Sequence, residues 1–198
     1  MTAQQHLFLA RHGRTALNAE GRLRGLADPP LDPVGEAEAM RLAQSLVGCG
    51  AVLVVSSPLQ RAVRTAEIIA TTLGIERRVD QHLNDRDYGP QTGEIKEEVV
   101  ARWGSVDAAP GVEPVATVLA RVRPEIDALL DTPVSPGPGR AAGVPPAVIA
   151  VTHDAVIRPL IASIDPDVRV DAPTASYAEL VRDGSRWSVL AVDRKPSV

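Results

Sequence analysis

Two histidines and two arginines stand at comparable places in this 198-residue chain, each just after a short apolar run. The run Leu7-Phe8-Leu9-Ala10 leads into Arg11-His12-Gly13. Ala51-Val52-Leu53-Val54-Val55 leads into Ser56-Ser57-Pro58-Leu59-Gln60-Arg61, and Ala147-Val148-Ile149-Ala150-Val151 into Thr152-His153-Asp154. Arginine offers forked donors that suit the oxygens of an oxyanion. Histidine can attack phosphorus and form a covalent intermediate. A second histidine can donate to a non-bridging oxygen, and a helix opening at Asp154 would add backbone N–H groups and the positive end of its dipole. The set points to phosphoryl transfer, where catalysis is positioning plus neutralisation of charge on the equatorial oxygens. Arginines can supply that charge. The chain has no H-E-x-x-H, no Walker loop and no G-x-S-x-G elbow, so neither a metal nor a cofactor is expected.

The elements that must position these residues follow from the same runs. Each run is continuous rather than alternating, as in strands buried on both faces. Asp32-Pro33 is an N-cap and first-turn proline for a helix over residues 34–47. Ser57-Pro58 repeats the signal for a helix ending at Gly74, and Asp154 opens one running to about residue 164. Strand followed by helix, repeated, predicts a single domain over residues 1–198. It would be a three-layer α/β/α sandwich around a mostly parallel sheet. Ligands bind outside the carboxyl ends of such strands, so the three segments should meet in one crevice.

Residues 94–103 and 113–130 read as helices with no strand between them, and form a small helical cap or insert over about residues 86–131. Residues 132–146 are rich in proline and glycine and read as a flexible surface loop. Residues 176–181 and 187–192 flank Asp183-Gly184, a hairpin signal.

Composition narrows the partners. Hydrophobic residues make up 44% and charged residues 23%, which excludes wholesale disorder. The net charge of -4 and pI near 5.6 argue against nucleic acid. Cys49 is the only cysteine, so neither an intrachain disulfide nor a cysteine-built metal cluster can form. No apolar run approaches the ~18 residues that span a bilayer, and the first six residues lack the apolar core of a signal peptide. The expectation is a cytoplasmic protein with no membrane or nucleic-acid partner and a small phosphorylated substrate. No feature specifies an oligomer. Of 21 basic residues all but Lys96 and Lys195 are arginine, which GC-rich codon usage explains, so position rather than abundance must mark the functional ones.

At these residues the sequence resembles a family. Leu9-Ala10-Arg11-His12-Gly13-Arg14-Thr15, Asn18 and Gly21-Arg22-Leu23-Arg24-Gly25 are similar to the signature segment of the histidine phosphatase superfamily, with its phosphoglycerate mutase-like fold. Asp28-Pro29-Pro30-Leu31 with Gly35, and Ser56-Ser57-Pro58-Leu59-Gln60-Arg61-Ala62 with Thr65-Ala66, continue the match. So do Leu83-Asn84-Asp85-Arg86-Asp87-Tyr88-Gly89 with Gly93, and Val151-Thr152-His153-Asp154-Ala155-Val156-Ile157-Arg158. The order is kept from about residue 7 to residue 158; the loop at 133–146 lies outside the resemblance and the final hairpin matches weakly.

The resemblance implies roles. His12 takes the place of the nucleophile that becomes phosphohistidine. Arg11, Arg61 and His153 take those of the clamp on the phosphoryl oxygens, with Asn18 a further donor and Thr15 and Gly25 in the substrate-binding segment. Asp85 stands where the family has its proton donor, which requires a carboxyl held neutral by burial. The plain reading of Asp85 is a solvated loop carboxylate.

Several positions depart from the family pattern. The donor is more often Glu, and Asp is shorter by about 1.5 Å. Asp154 replaces a common glycine; it could cap the helix, or repel phosphate if it points inward. Arg14 and Arg24 replace residues often neutral or acidic, and either make the entrance favour a second anionic group or are ordinary solvated arginines.

Other residues draw plainer readings: Cys49 as inert, His6 and His82 as surface histidines, Trp103 as packing the cap against the crevice, and Arg64 and Arg158 as ion-pair partners. The resemblance implies a metal-independent phosphomonoester hydrolase working through phosphohistidine on a small phosphorylated metabolite. A cofactor-dependent phosphoglycerate mutase and a catalytically weak phospholigand-binding domain are the alternatives. A mutase needs an enclosing lid, for which the middle insert is short.

Overall fold

The computed structural model describes residues 4–131 and 146–196. The chain runs through strand β1 (Gln5–Arg11), helix α1 (Ala16–Ala19), α2 (Pro33–Ser45), β2 (Ala51–Ser56), α3 (Gln60–Leu73) and β3 (Glu76–Val79). It continues with α4 (Lys96–Trp103), α5 (Val115–Asp131), β4 (Ala147–Thr152), α6 (Asp154–Ile164), β5 (Tyr177–Asp183) and β6 (Arg186–Arg194). One six-stranded sheet has the order β3-β2-β4-β1-β5-β6. The four strands β3, β2, β4 and β1 are parallel; β5 and β6 add antiparallel at one edge.

Side-chain alternation explains why the apolar runs are continuous. Leu7 and Leu9 of β1, with Leu53, Val148 and Ala150, face a core completed by α5 and α6. Phe8 and Ala10, with Val54, Ile149 and Val151, face the other core, under α2 and α3. Both faces of the central strands are therefore covered, which is the three-layer α/β/α arrangement. A third, small cluster of Leu23, Tyr88, Val99 and Ala109 holds α4 and its flanking turns above the sheet end.

Three features differ from the sequence-based expectation. The helix at 113–130 does not belong to the cap: Val118, Val122, Ile126, Leu129 and Leu130 of α5 are buried in the sheet-face core, so it completes an outer layer. The cap is thus confined to α4 and the turns beside it. Strand β3 was not visible, because its sequence Glu-Arg-Arg-Val is charged and wholly exposed on a sheet edge, where neither face is buried. Helix α3 starts later than Ser57-Pro58, at Gln60, which frees Ser57 from capping.

In the hairpin, Asp183 still pairs with Arg186, so the two-residue loop is Gly184-Ser185 rather than Asp183-Gly184. Trp103 is 40% exposed and does not pack the cap onto the crevice. The loop expected at 132–146 lies outside the described residues, apart from Pro146.

Candidate active site

The carboxyl ends of β1, β2 and β4 bring three segments together. Hydrogen bonds across the strand ends lock them: His12 N–H donates to the Thr152 carbonyl (3.1 Å) and Ser57 N–H to the Val151 carbonyl (3.0 Å). The segment after β1 lies flat on the start of α2. A Cβ on Gly13 would stand 2.4 Å from the Gly35 carbonyl oxygen, and one on Gly35 2.0 Å from that of Arg14. Only glycine allows this approach, which sets the depth of His12.

His12 is fully buried. Its Nδ1 lies 2.6 Å from the Gly13 carbonyl oxygen, which requires the Nδ1–H tautomer there and leaves Nε2 with its lone pair. Nε2 faces Arg61, whose Nε lies 3.3 Å away. Burial, then the Arg61, Arg11 and Arg24 charges, hold the imidazole pKa well below its ordinary value, so the ring is neutral. The His153 ring lies 5.0 Å from that of His12, centroid to centroid, and is kept neutral by burial and by Arg61. Its Nε2 is 2.8 Å from Ser57 Oγ.

Arg61, in the first turn of α3, is fully buried and uses every nitrogen. Its Nη1 donates to the Ala27 carbonyl, and its Nη2 to the Gly25 carbonyl (2.8 Å) and to Asp85 Oδ2 (2.9 Å). Gly25 takes a positive φ of 51° against Tyr88, which turns its carbonyl toward Arg61. Arg11, the last residue of β1, donates from Nη1 to the Ala172 carbonyl and places Nη2 3.1 Å from Asp154. Its Nε is buried with no partner among the described residues.

Two carboxyls complete the site, and their surroundings push them apart. Asp85 is 1% exposed. Burial raises its pKa more than the neighbouring Arg61 and Arg24 lower it. Its Oδ2 lies 3.4 Å from His153 Nδ1, so the shorter aspartate side chain still reaches the site. Arg121 of α5 fixes the backbone there, donating to the carbonyls of His82, Asn84 and Asp85. Asp154 is partly buried at the cleft wall, and Arg11, Arg24, Arg158 and Lys96 outweigh its desolvation and bring its pKa down to about 2. The two carboxyls are thus shifted in opposite directions, Asp85 toward its protonated form and Asp154 toward its ionised form.

A cleft of about 690 Å³ opens beside this cluster. Arg11, Arg14, Asn18, Arg24 and Asp154 line it, while His12, Arg61, Asp85 and His153 are buried next to these residues. Its chemistry is that of a basic site beside a neutral imidazole and a carboxyl whose pKa burial raises.

The comparisons with known proteins carry this further. The model of the histidine phosphatase superfamily (branch 1) matches residues 7–194. The chain belongs to that superfamily. The match extends beyond the residue-158 limit seen by motif and takes in the final hairpin. A probable phosphoglycerate mutase, GpmB of Cronobacter sakazakii, is 42% identical over 83 residues, which is 42% of this chain and 39% of that relative's length. Among solved structures, "Mycobacterial hydrolase 1" superposes with a TM-score of 0.83 at 26% identity, covering 98% of this chain and 100% of that one. A mycobacterial glucosyl-3-phosphoglycerate phosphatase solved with VO3 gives 0.81 at 26% identity, over 96% and 99%. A phosphoglycerate mutase from Bacillus anthracis gives 0.82 over 96% and 93%, and at 22% identity shows the fold alone. Histidine phosphatase superfamily members are enzymes, phosphatases or mutases.

On this superfamily scaffold, the residues anticipated from sequence divide into two groups. Arg11, His12, Arg61, Asp85, His153 and Asp154 come together, and Asn18, Arg14 and Arg24 line the cleft beside them. Thr15 and Gly25 do not line it: Thr15 is the buried N-cap of α1, locked in a capping box with Asn18, and Gly25 supports Arg61. Arg14 keeps a partly exposed side chain whose Nε pairs with Asp32 (2.9 Å), whereas Arg24 is buried rather than solvated and pairs through Nη2 with Asp154 (2.7 Å). Asp154 points inward and His153 takes the N-cap position of α6 in its stead.

Arg64 pairs with Glu36 and Glu67 as expected, and Arg158 with Asp154. His6 meets Glu179, and the Cys49 thiol is raised by burial, as befits an inert residue. Sequence reasoning missed Ser57 and Arg121 as site residues. Ser57 carried a signal, lying at a strand end; Arg121 carried none, because its role depends on α5 packing beside the Asp85 segment.

Among the described residues, one group has metal-ligand types close together: Asp80, His82 and Glu125. None of the three lines the cleft. No helix of the described chain is long and apolar enough to cross a membrane.

Proposed function

We propose that this member of the histidine phosphatase superfamily is a phosphomonoester hydrolase that needs no metal and acts through a phosphohistidine intermediate on a small phosphorylated metabolite. The observation that carries the reading is the pairing of a neutral His12, whose Nε2 carries no proton and accepts from Arg61 Nε, with a buried Asp85 whose pKa is raised. In the first step His12 Nε2 attacks phosphorus. The P–O ester bond breaks and Asp85 gives its proton to the departing alkoxide. Arg11, Arg61 and His153 hold the equatorial oxygens, supplying the charge neutralisation that phosphoryl transfer demands. In the second step ionised Asp85 takes a proton from water as it attacks phosphorus, the N–P bond breaks, and inorganic phosphate leaves with His12 restored.

The deciding experiment measures phosphate release from a panel of phosphomonoesters with chelator present, comparing the wild type with His12→Ala. Release by the wild type alone, with an acid-labile, base-stable phosphoryl group trapped on the protein, is the expected result. Interconversion of phosphoglycerates faster than phosphate release would make the chain a mutase instead. Ligand-dependent stabilisation with neither activity would leave a binding domain.

A further inference from the structure

The basic side chains of the cleft are nearly all matched by carboxylates. Arg14 is held by Asp32, Arg22 by Glu20 and Arg86 by Asp107. Three further guanidiniums converge on Asp154, and Lys96 also lines the cleft and acts on its charge. Arg24 Nη2 lies 2.7 Å and Arg11 Nη2 3.1 Å from its Oδ1, and Arg158 Nη2 lies 3.5 Å from its Oδ2. Asp154 sits at the first position of α6, at the inner wall of the cleft. The Nε atoms of Arg11 and Arg24 are both buried there and have no partner among the described residues.

Charge balance gives this arrangement a meaning. Asp154 cancels one of the positive charges that Arg11, Arg24 and Arg158 bring to this wall. With a neutral residue in place of Asp154, the same trio would present one more net positive charge, open to a second anionic group of a substrate. An anionic group brought by a substrate would meet the Asp154 charge at short range, and like charges at an interface are strongly discriminating. The rest of the wall offers Leu23, Val106, Val115 and Ala155, which suit an uncharged carbon skeleton.

We infer that Asp154 is a specificity-determining residue, filling with the protein's own carboxylate the place of a substrate's second anionic group. The cleft therefore takes phosphomonoesters of uncharged alcohols, such as polyols and sugars, and turns away esters with a carboxylate or second phosphate beside the scissile group. The inference rests on the proposed hydrolase reading for its turnover consequences, and on geometry alone for its binding consequences.

The test uses glycerol 3-phosphate and 3-phosphoglycerate, which differ only by a hydroxymethyl in place of a carboxylate. Wild type is expected to favour glycerol 3-phosphate in kcat/KM by about tenfold or more, a difference of about 1.4 kcal/mol. Asp154→Asn should shift that ratio at least tenfold toward 3-phosphoglycerate, and Asp154→Glu, which keeps the charge, should stay near the wild type. A ratio that moves less than about threefold in Asp154→Asn overturns the inference and leaves the hydrolase reading standing.

Absence of turnover on any ester defeats the hydrolase reading instead. Binding then decides, by calorimetric titration of both esters into His12→Ala with and without Asp154→Asn. If the asparagine variant does not fold, the His12→Ala protein suffices: 3-phosphoglycerate bound as tightly as glycerol 3-phosphate overturns the inference, and weaker binding supports it.

Discussion

Arg61 directs its Nε at Nε2 of His12 across 3.3 Å, while both of its other nitrogens are spent on fixed acceptors. The guanidinium is thus held rigid by the Gly25 and Ala27 carbonyls and Asp85, and its charge adds to burial in keeping the imidazole neutral. Lysine has the charge but not the planar fork, and cannot reach these acceptors together. Arg61→Lys should lower kcat/KM by about 100- to 1000-fold, the usual cost of one oxyanion donor. It should also lower stability by about 1–3 kcal/mol through carbonyls left unpaired. Phosphate-release kinetics and urea unfolding check both, and activity within threefold of the wild type would contradict the arrangement.

The pH dependence of activity follows from the opposed titrations of His12 and Asp85. His12 must be deprotonated to attack; burial and Arg61 lower its pKa, so the acid limb lies well below the ordinary histidine value. Asp85 must be protonated to act as acid, and burial raises its pKa above 3.8, so loss of its proton sets the alkaline limb. The profile of kcat/KM should therefore be a bell with its maximum on the acid side of neutrality. Asp85→Asn should remove the alkaline limb and cost about 100-fold or more with alkyl phosphates. With p-nitrophenyl phosphate, whose leaving group needs no proton, the cost should be far smaller. Equal losses on both esters would remove Asp85 from the role.

Stability against acid should carry the mark of Asp154. Its pKa is lowered from 3.8 to about 2 in the folded protein, so its contribution is present above 3.8 and is lost as pH falls through that window. His12 and His153 act in a higher window: both are depressed by burial, so the unfolded chain takes up their protons first and stability already declines below the ordinary histidine value. Asp154→Asn should be less stable than wild type at neutral pH, with the difference shrinking between pH 3.8 and about 2. Urea titrations at a series of pH values measure it; a gap independent of pH would show that the carboxylate is not the stabilising group.

Gly35→Ala tests the close approach beneath His12. The added methyl would stand 2.0 Å from the Arg14 carbonyl oxygen, so the segment after β1 must lift from α2. Overpacking of this kind costs about 1–3 kcal/mol. Because the displaced segment carries His12, kcat should fall as well, by about 100-fold for a shift near 1 Å. Thermal unfolding and steady-state kinetics together read the effect, and an unchanged Tm would show that the contact is relieved elsewhere.

Much of this protein was legible in its residues. Continuous apolar runs gave away β1, β2 and β4, because a strand buried on both faces has no polar side to display. Strand ends in a parallel sheet share one edge, so Arg11, His12, Arg61 and His153 could be placed together without coordinates. Asp85 was legible by its place in the family pattern, though its titration was not, since a lone aspartate among polar neighbours reads as solvated. Only the packed chain shows it at 1% exposure.

What tertiary structure alone decided are the partners of charged groups across long sequence separations. Arg24 and Asp154 lie 130 positions apart and meet at 2.7 Å, which ties a suspected anion-binding arginine to a carboxylate of the protein itself. Helix α5 moved from cap to core because its apolar stripe shows that it must be covered but not by which surface. Sequence period and strand-end chemistry are local properties and survive without coordinates. Charge pairing depends on which distant segments the fold brings within a few ångströms, and no local pattern encodes that distance.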